Sequence, residues 1–246
     1  MNERPELCVW DDEGSLARAV AEYVVRVGSE AIASRGRFDL ALAGGSTPKA
    51  AYRLLQDGDV GQAIDWSLVR FFFGDERCVA PTDEQSNYKM AKETLLDPLQ
   101  VRPYAVFRML GEAEPAEAAR AYAETLQHEL GVEPVLDLVM LGMGADGHTA
   151  SLFPGTDPTV EDAALVRAPW VEKLATHRIT LTPHVINSAR SVVIAVQGTA
   201  KADTLAAVLD GPYRPAEYPI QIVAPRDKRL RWFLDRAAAA RVVPLK

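Results

Sequence analysis

Cysteine is scarce in this 246-residue sequence: Cys8 and Cys78 are the only two, and no C-x-x-C spacing occurs. Neither a disulfide framework nor a structural zinc site is implied, and both thiols are expected to be reduced. Long apolar runs are also missing. No stretch approaches the roughly 20 residues needed to span a bilayer. The opening MNERPELCVWDDEG has neither the apolar core of a signal peptide nor the Arg/Ser-rich, acid-poor character of a transit peptide. A cytoplasmic location is the expectation. Positive charge is in deficit, with 27 Lys and Arg against 34 Asp and Glu and a net charge of −7. That balance argues against partners such as nucleic acid or anionic membranes, which reward a basic surface. An anionic ligand would therefore need a local cluster of cations.

Several motifs are lacking as well. The chain contains no H-E-x-x-H and no G-x-S-x-G, and its Gly44-Gly45-Ser46-Thr47-Pro48 segment is neither a Walker loop nor G-x-G-x-x-G. Nucleotide binding is disfavoured, a serine-nucleophile triad finds no support, and neither a metal nor a cofactor is expected.

What the chain does have is 48% hydrophobic residues, enough for a substantial core. From Glu13 to Ser34 apolar residues recur at three- and four-residue steps, the signature of an amphipathic helix. Apolar runs without alternation follow at Phe38 to Ala43, Val69 to Phe73, Val135 to Leu141, Ser191 to Val196 and Ile220 to Val223. Such runs suit strands buried on both faces, as in a parallel sheet covered by helices. Helical patterns lie between them at Pro48 to Gln56, Asn87 to Leu96, Pro115 to Leu130 and Ala200 to Leu209, and Ala237 to Ala240 reads as a surface helix at the end. No linker, repeat or low-complexity segment divides the chain. The expected fold is α/β and Rossmann-like, a mostly parallel sheet flanked by helices on both faces, in a single domain over residues 1–246.

Four of these runs end in glycine followed by polar or charged residues: Gly44-Gly45-Ser46-Thr47-Pro48, Gly74-Asp75-Glu76-Arg77, the stretch Gly142 to His148, and Gln197-Gly198-Thr199-Ala200-Lys201. Carboxyl ends of parallel strands share one edge, so these segments converge on one crevice. The first has the makings of a phosphate cradle, with close backbone approach, two hydroxyl donors and the N–H groups of a helix start. A Ser-Thr-Pro helix cap is the competing reading. In the second, Arg77 can steady an oxyanion or grip an anion with Asp75 and Glu76 beside it, unless the cluster is simply a solvated loop. In the third, His148 brings an imidazole, a group able to exchange protons with water, and Asp146 can orient its ring, a pairing suited to general-base work. The other histidines, His128, His177 and His184, sit in ordinary polar surroundings.

Taken together, LALAGGSTP (40–48), FFFGDERCVAPTDEQSNYKMAKETLL (71–96), DLVMLGMGADGHTASLFPGT (137–156), RITLTPHVINSAR (178–190) and VQGTAKAD (196–203) resemble the 6-phosphogluconolactonase family, which is related in fold to the glucosamine-6-phosphate deaminases. The likeness runs from about residue 15 to about residue 235. It implies hydrolysis of 6-phospho-D-glucono-1,5-lactone to 6-phospho-D-gluconate in the pentose phosphate pathway, with His148 as the general base that activates water and Asp146 in support. It implies a phosphate held by the loop of Gly44, Gly45, Ser46 and Thr47, with Arg178 and Lys201 as cationic partners. Asp75 joins the substrate-binding set, and Arg77 stands near the reacting lactone end. Lys173 falls where relatives often carry a lysine in Lys-Pro-Pro, although here the text reads Lys173-Leu174-Ala175. Two departures separate this chain from the deaminases. They carry a glutamate where Phe153 stands, and Asp-Glu-Tyr where this chain has Asp75-Glu76-Arg77. The implied partner is a small sugar-phosphate lactone, and the protein is expected to be a monomer or weak dimer.

Overall fold

A computed structural model describes residues 6–56, 58–156 and 163–243. Its centre is a six-stranded, wholly parallel sheet built from β1 (Glu6–Trp10), β2 (Phe38–Leu42), β3 (Val69–Phe73), β5 (Leu138–Gly142), β9 (Val192–Val196) and β10 (Leu230–Asp235). In space the order is β1-β10-β9-β5-β2-β3. After β2 the chain steps one way to β3, then returns to the other side of β2 for β5 and continues outward. The direction of winding thus reverses between β2 and β5, and such a switch point opens a crevice at the carboxyl ends of the strands.

Successive strand residues face opposite sides, and both sides are covered. Leu40, Leu42, Phe71 and Phe73 pack against α1 (Glu13–Arg35) and α2 (Ser46–Leu55). Their neighbours Ala41 and Phe72 pack on the other side, against α4 (Pro115–Leu130), α5 (Pro183–Ser188) and α6 (Ala202–Asp210). This explains why the central runs lack alternation: apart from Asp39, Arg70, Asp137 and Ser191 towards their amino ends, each residue is apolar because each face is core. Helix α1 starts in a capping box, with Ser15 N–H donating to Asp12 Oδ1 at 2.8 Å, and ends at Gly36 in the left-handed region.

A smaller antiparallel sheet joins β4 (Asp75–Arg77), β8 (Thr176–Leu181) and β6 (Val166–Arg167), and β7 (Trp170–Val171) pairs with β8. Helix α3 (Asn87–Ala91) runs on into a π turn over Lys92–Leu96.

Two expectations fail. Ile220 to Val223 is not a strand: Pro219–Ile222 forms a 3₁₀ turn, and Ile220 is apolar because it is buried in the core. Pro219, lacking an N–H and sitting at the first helical position, favours that turn. The terminal alanine run makes only a 3₁₀ turn over Ala238–Arg241, and Ala238 is fully buried because its backbone N–H is tied to Asp235 at 2.7 Å.

Candidate active site

The crevice at the switch point is a cleft of about 270 Å³ whose walls come from all four glycine-ended segments. Gly44 to Thr47, Asp75, Arg77, His148 and Lys201 line it, residues far apart in sequence brought together by one sheet edge.

Two buried tyrosines set the positions of the first two loops. Where β2 ends, Tyr52 of α2 accepts the Ala43 N–H and donates to the Ala43 carbonyl, both at 2.9 Å. Near the end of β3, Tyr122 of α4 treats Phe73 alike, at 2.8 and 3.3 Å. Backbone groups that the sheet no longer pairs must find partners, and each hydroxyl supplies both a donor and an acceptor. Nothing local in the sequence signals these two residues.

Gly45 caps α2 with φ of 100°, a left-handed conformation that side chains resist. No side chain caps this helix, so Ser46 and Thr47 are the first two helical residues and their hydroxyls are not spent on a cap. Pro48 sits at the third helical position rather than the first. The arrangement leaves helix-start N–H groups and two hydroxyls at the cleft, which favours the anion-cradle reading over the simple cap. Gln197 reaches across from the end of β9, its Nε2 3.5 Å from Ser46 Oγ.

In the second segment the two carboxylates are engaged internally. Asp75 accepts from Ser151 Oγ at 2.6 Å and from Asn87 Nδ2 at 3.1 Å, so it ties β4 to the turn after His148. Glu76, buried, accepts the N–H groups of Arg77, Asn87 and Tyr88 at 2.7 to 2.8 Å and the Ser86 hydroxyl at 3.0 Å. Burial pushes its carboxyl up, opposed by those backbone donors. Glu76 is thus the organiser of the 75–88 loop. The Arg77 guanidinium is braced by the Gln85 carbonyl and forms no ion pair among the described residues.

Asp146 and His148 pair directly, with Oδ1 2.5 Å from Nδ1. Burial raises the Asp146 carboxyl, but the hydrogen bonds from His148 and Lys173 outweigh it and hold the group well below the usual carboxylate range. An ionised carboxylate can only accept, so Nδ1 of His148 carries a proton, and in the neutral form of the ring the lone pair is then on Nε2. Gly144 makes the pair possible: a Cβ there would lie 2.0 Å from His148 Nδ1 and 2.6 Å from Asp146 Oδ1. Phe153 packs its ring on the imidazole, centroids 4.2 Å apart.

The expected phosphate cations divide. Lys201 lines the cleft and has no ion pair among the described residues. Burial, opposed by Asp146 and reinforced by Lys173, holds its ammonium below the usual lysine range. Arg178 is not among the cleft-lining residues: it lies buried opposite Arg77 in the β4–β8 register, its guanidinium lowered by burial and by the Arg77 charge. Lys173 does not line the cleft either and sits on Asp146 Oδ2. Among the described residues no group of three or more His, Cys, Asp or Glu side chains is disposed to hold a metal ion, and no helix is long and apolar enough to cross a membrane.

The family described as glucosamine-6-phosphate isomerases/6-phosphogluconolactonase matches residues 11–232. A 6-phosphogluconolactonase of Treponema pallidum is 39% identical over 201 residues, covering 80% of this chain and 83% of that protein. One of Synechocystis is 36% identical and covers 93% and 94%. The solved structure of a 6-phosphogluconolactonase from Trypanosoma cruzi superimposes with a TM-score of 0.86 at 27% identity, over 99% of both chains.

Proposed function

Because the chain belongs to the glucosamine-6-phosphate isomerase/6-phosphogluconolactonase family, we propose that it hydrolyses 6-phospho-D-glucono-1,5-lactone to 6-phospho-D-gluconate, the lactone step of the pentose phosphate pathway. The observation that carries the reading is the Asp146–His148 pair, in which the carboxylate holds Nδ1 of a cleft-lining histidine, with a phenyl ring packed on the imidazole.

In this reading Nε2 of His148 takes a proton from water as its oxygen attacks C1 of the lactone. The carbonyl oxygen becomes an oxyanion, which Arg77 steadies as a fixed charge beside the cleft. Collapse of the tetrahedral intermediate breaks the bond from C1 to the ring oxygen, and the imidazolium returns the proton to that oxygen. Asp146 stabilises the imidazolium meanwhile. No covalent intermediate is needed. General-base help contributes ~10² to 10⁴ in rate, or about 3 to 5 kcal/mol of barrier. The phosphate, which does not react, would be gripped by Lys201 and the start of α2, so its binding energy goes into positioning. Arg178, buried beside Arg77 in the β4–β8 pair, would act by shaping the positive field of the cleft.

The test uses freshly generated lactone with spontaneous hydrolysis subtracted. Wild-type protein should accelerate hydrolysis strongly, and His148→Ala should lose ~10² to 10⁴ of that rate. A folded variant that keeps most of the rate removes His148 from the role. Release of ammonium from glucosamine 6-phosphate would move the chain to the isomerase branch of its family.

A further inference from the structure

Lys173 stands at the tip of the β7–β8 hairpin, in a 3₁₀ turn over Glu172–Leu174 that Ala175 closes in the left-handed region at φ 47°. Across the hairpin Trp170 and His177 meet edge to face at 5.2 Å, and Trp170 Nε1 donates to Glu172 at 2.7 Å, so the tip is braced on its own strand pair. From there the Lys173 ammonium reaches Asp146 Oδ2 in direct contact and lies 4.6 Å from the centre of the Phe153 ring. The same ring packs on His148. Lys173, Asp146, His148 and Phe153 therefore form one closed unit.

We propose that Lys173 is a positioning residue for the His148 base: seated on Phe153, it holds one oxygen of Asp146 so that the other is aimed at Nδ1. This rests on the reading of His148 as the base. A carboxylate has two equivalent oxygens and rotates freely when only one is held; fixing Oδ2 fixes Oδ1, and with it the tautomer and plane of the imidazole. Asp146 receives no other side-chain donor among the described residues. The role differs from a phosphate contact, for which the cleft-lining, unpaired Lys201 is better placed. It also assigns a use to Phe153 beyond excluding a second carboxylate, since a ring face attracts a cation while its edge and face support the imidazole.

Lys173→Met keeps the length of the side chain and removes its charge. The expected result is a fall in kcat of about tenfold, the scale of one partly exposed charge-assisted hydrogen bond, with KM unchanged, and Lys173→Arg should restore most of the loss. As a second readout, ¹⁵N spectra of the substrate-free protein should show His148 protonated at Nδ1 in the wild type and a mixture of tautomers in Lys173→Met. A raised KM with unchanged kcat would make Lys173 a phosphate ligand and overturn the proposal. An unchanged kcat together with an unchanged tautomer would overturn it too. Because the spectra need no substrate, loss of the lactonase reading through an active His148→Ala variant is distinguishable from loss of this one.

Discussion

The two ends of the central sheet are both rich in charge, yet they treat it in opposite ways. At the amino ends of β2, β3 and β5 the charges close on one another. Asp39 pairs with Arg70 at 2.6 Å and Arg37 at 3.1 Å, Arg70 also pairs with Glu129 at 3.0 Å, and Asp137 takes Arg35 at 2.8 Å and Arg190 at 3.4 Å. Asp137 further accepts the Asp39 N–H at 2.9 Å, so the network is stitched into the backbone. At the carboxyl ends Arg77 and Lys201 keep no carboxylate partner among the described residues, while the neighbouring acids Asp75, Glu76 and Asp146 are satisfied by donors of their own. Charges that saturate each other serve stability; cations left unmatched over a cleft are poised for an outside anion. In an acidic protein this selective pairing is what creates a local positive site.

That contrast can be broken experimentally. The largest effect is expected from Gly144→Ala, whose methyl would displace the His148 ring. Activity should fall by ~10² or more, about 2.7 kcal/mol of barrier, with the melting temperature little changed. Retained activity would show that the imidazole tolerates another place and would weaken the claim of a rigid carboxyl end. Next comes Asp39→Asn at the opposite end. Weakening a buried, doubly paired carboxylate should lower stability in denaturant by about 2 kcal/mol and leave kcat and KM alone. If activity moved as well, the two ends would not be separable. The smallest effect concerns Lys201 and pH. A lysine is charged below its pKa, and burial lowers that of Lys201. Affinity for 6-phosphogluconate should therefore weaken as pH rises, beginning below the range in which an ordinary lysine titrates. In calorimetry Lys201→Arg should flatten this dependence, and an unaltered slope would remove Lys201 from the anion site.

Much of this architecture was legible in advance, and what was missed has a consistent cause. The central strands β2, β3, β5 and β9 stand out as apolar runs, interrupted only by Asp39 and Arg70, because both faces are buried. The strand β1 lies at the sheet edge and is only partly buried, and β10 carries two charges, Arg231 and Asp235, so neither makes such a run. Conversely Ile220 to Val223 mimicked a strand because burial alone, without pairing, selects the same residues. In the site, the glycine-ended loops and the two-residue spacing of Asp146 and His148 could be read directly. Tyr122, Ser151 and Glu76 could not: Tyr122 serves a strand 49 positions away and Ser151 a carboxylate 76 away, separations that leave no periodic trace.

By itself, then, the sequence determined the alternation of strands and helices, the gathering of four polar loops at one sheet edge, and the pairing of Asp146 with His148. Those follow from short-range facts: which residues are apolar, where glycine admits a turn, and what lies within a few residues of what. Only the tertiary structure decided which cations face the cleft. Arg178 is buried beside Arg77, its partner in the β4–β8 register, and does not line the cleft, and Lys173 went to Asp146, 27 positions away, because a hairpin tip carries it there. A side chain's partner over such distances is settled by how elements pack, and the same lysine would read identically in sequence whether it met a phosphate or a carboxylate.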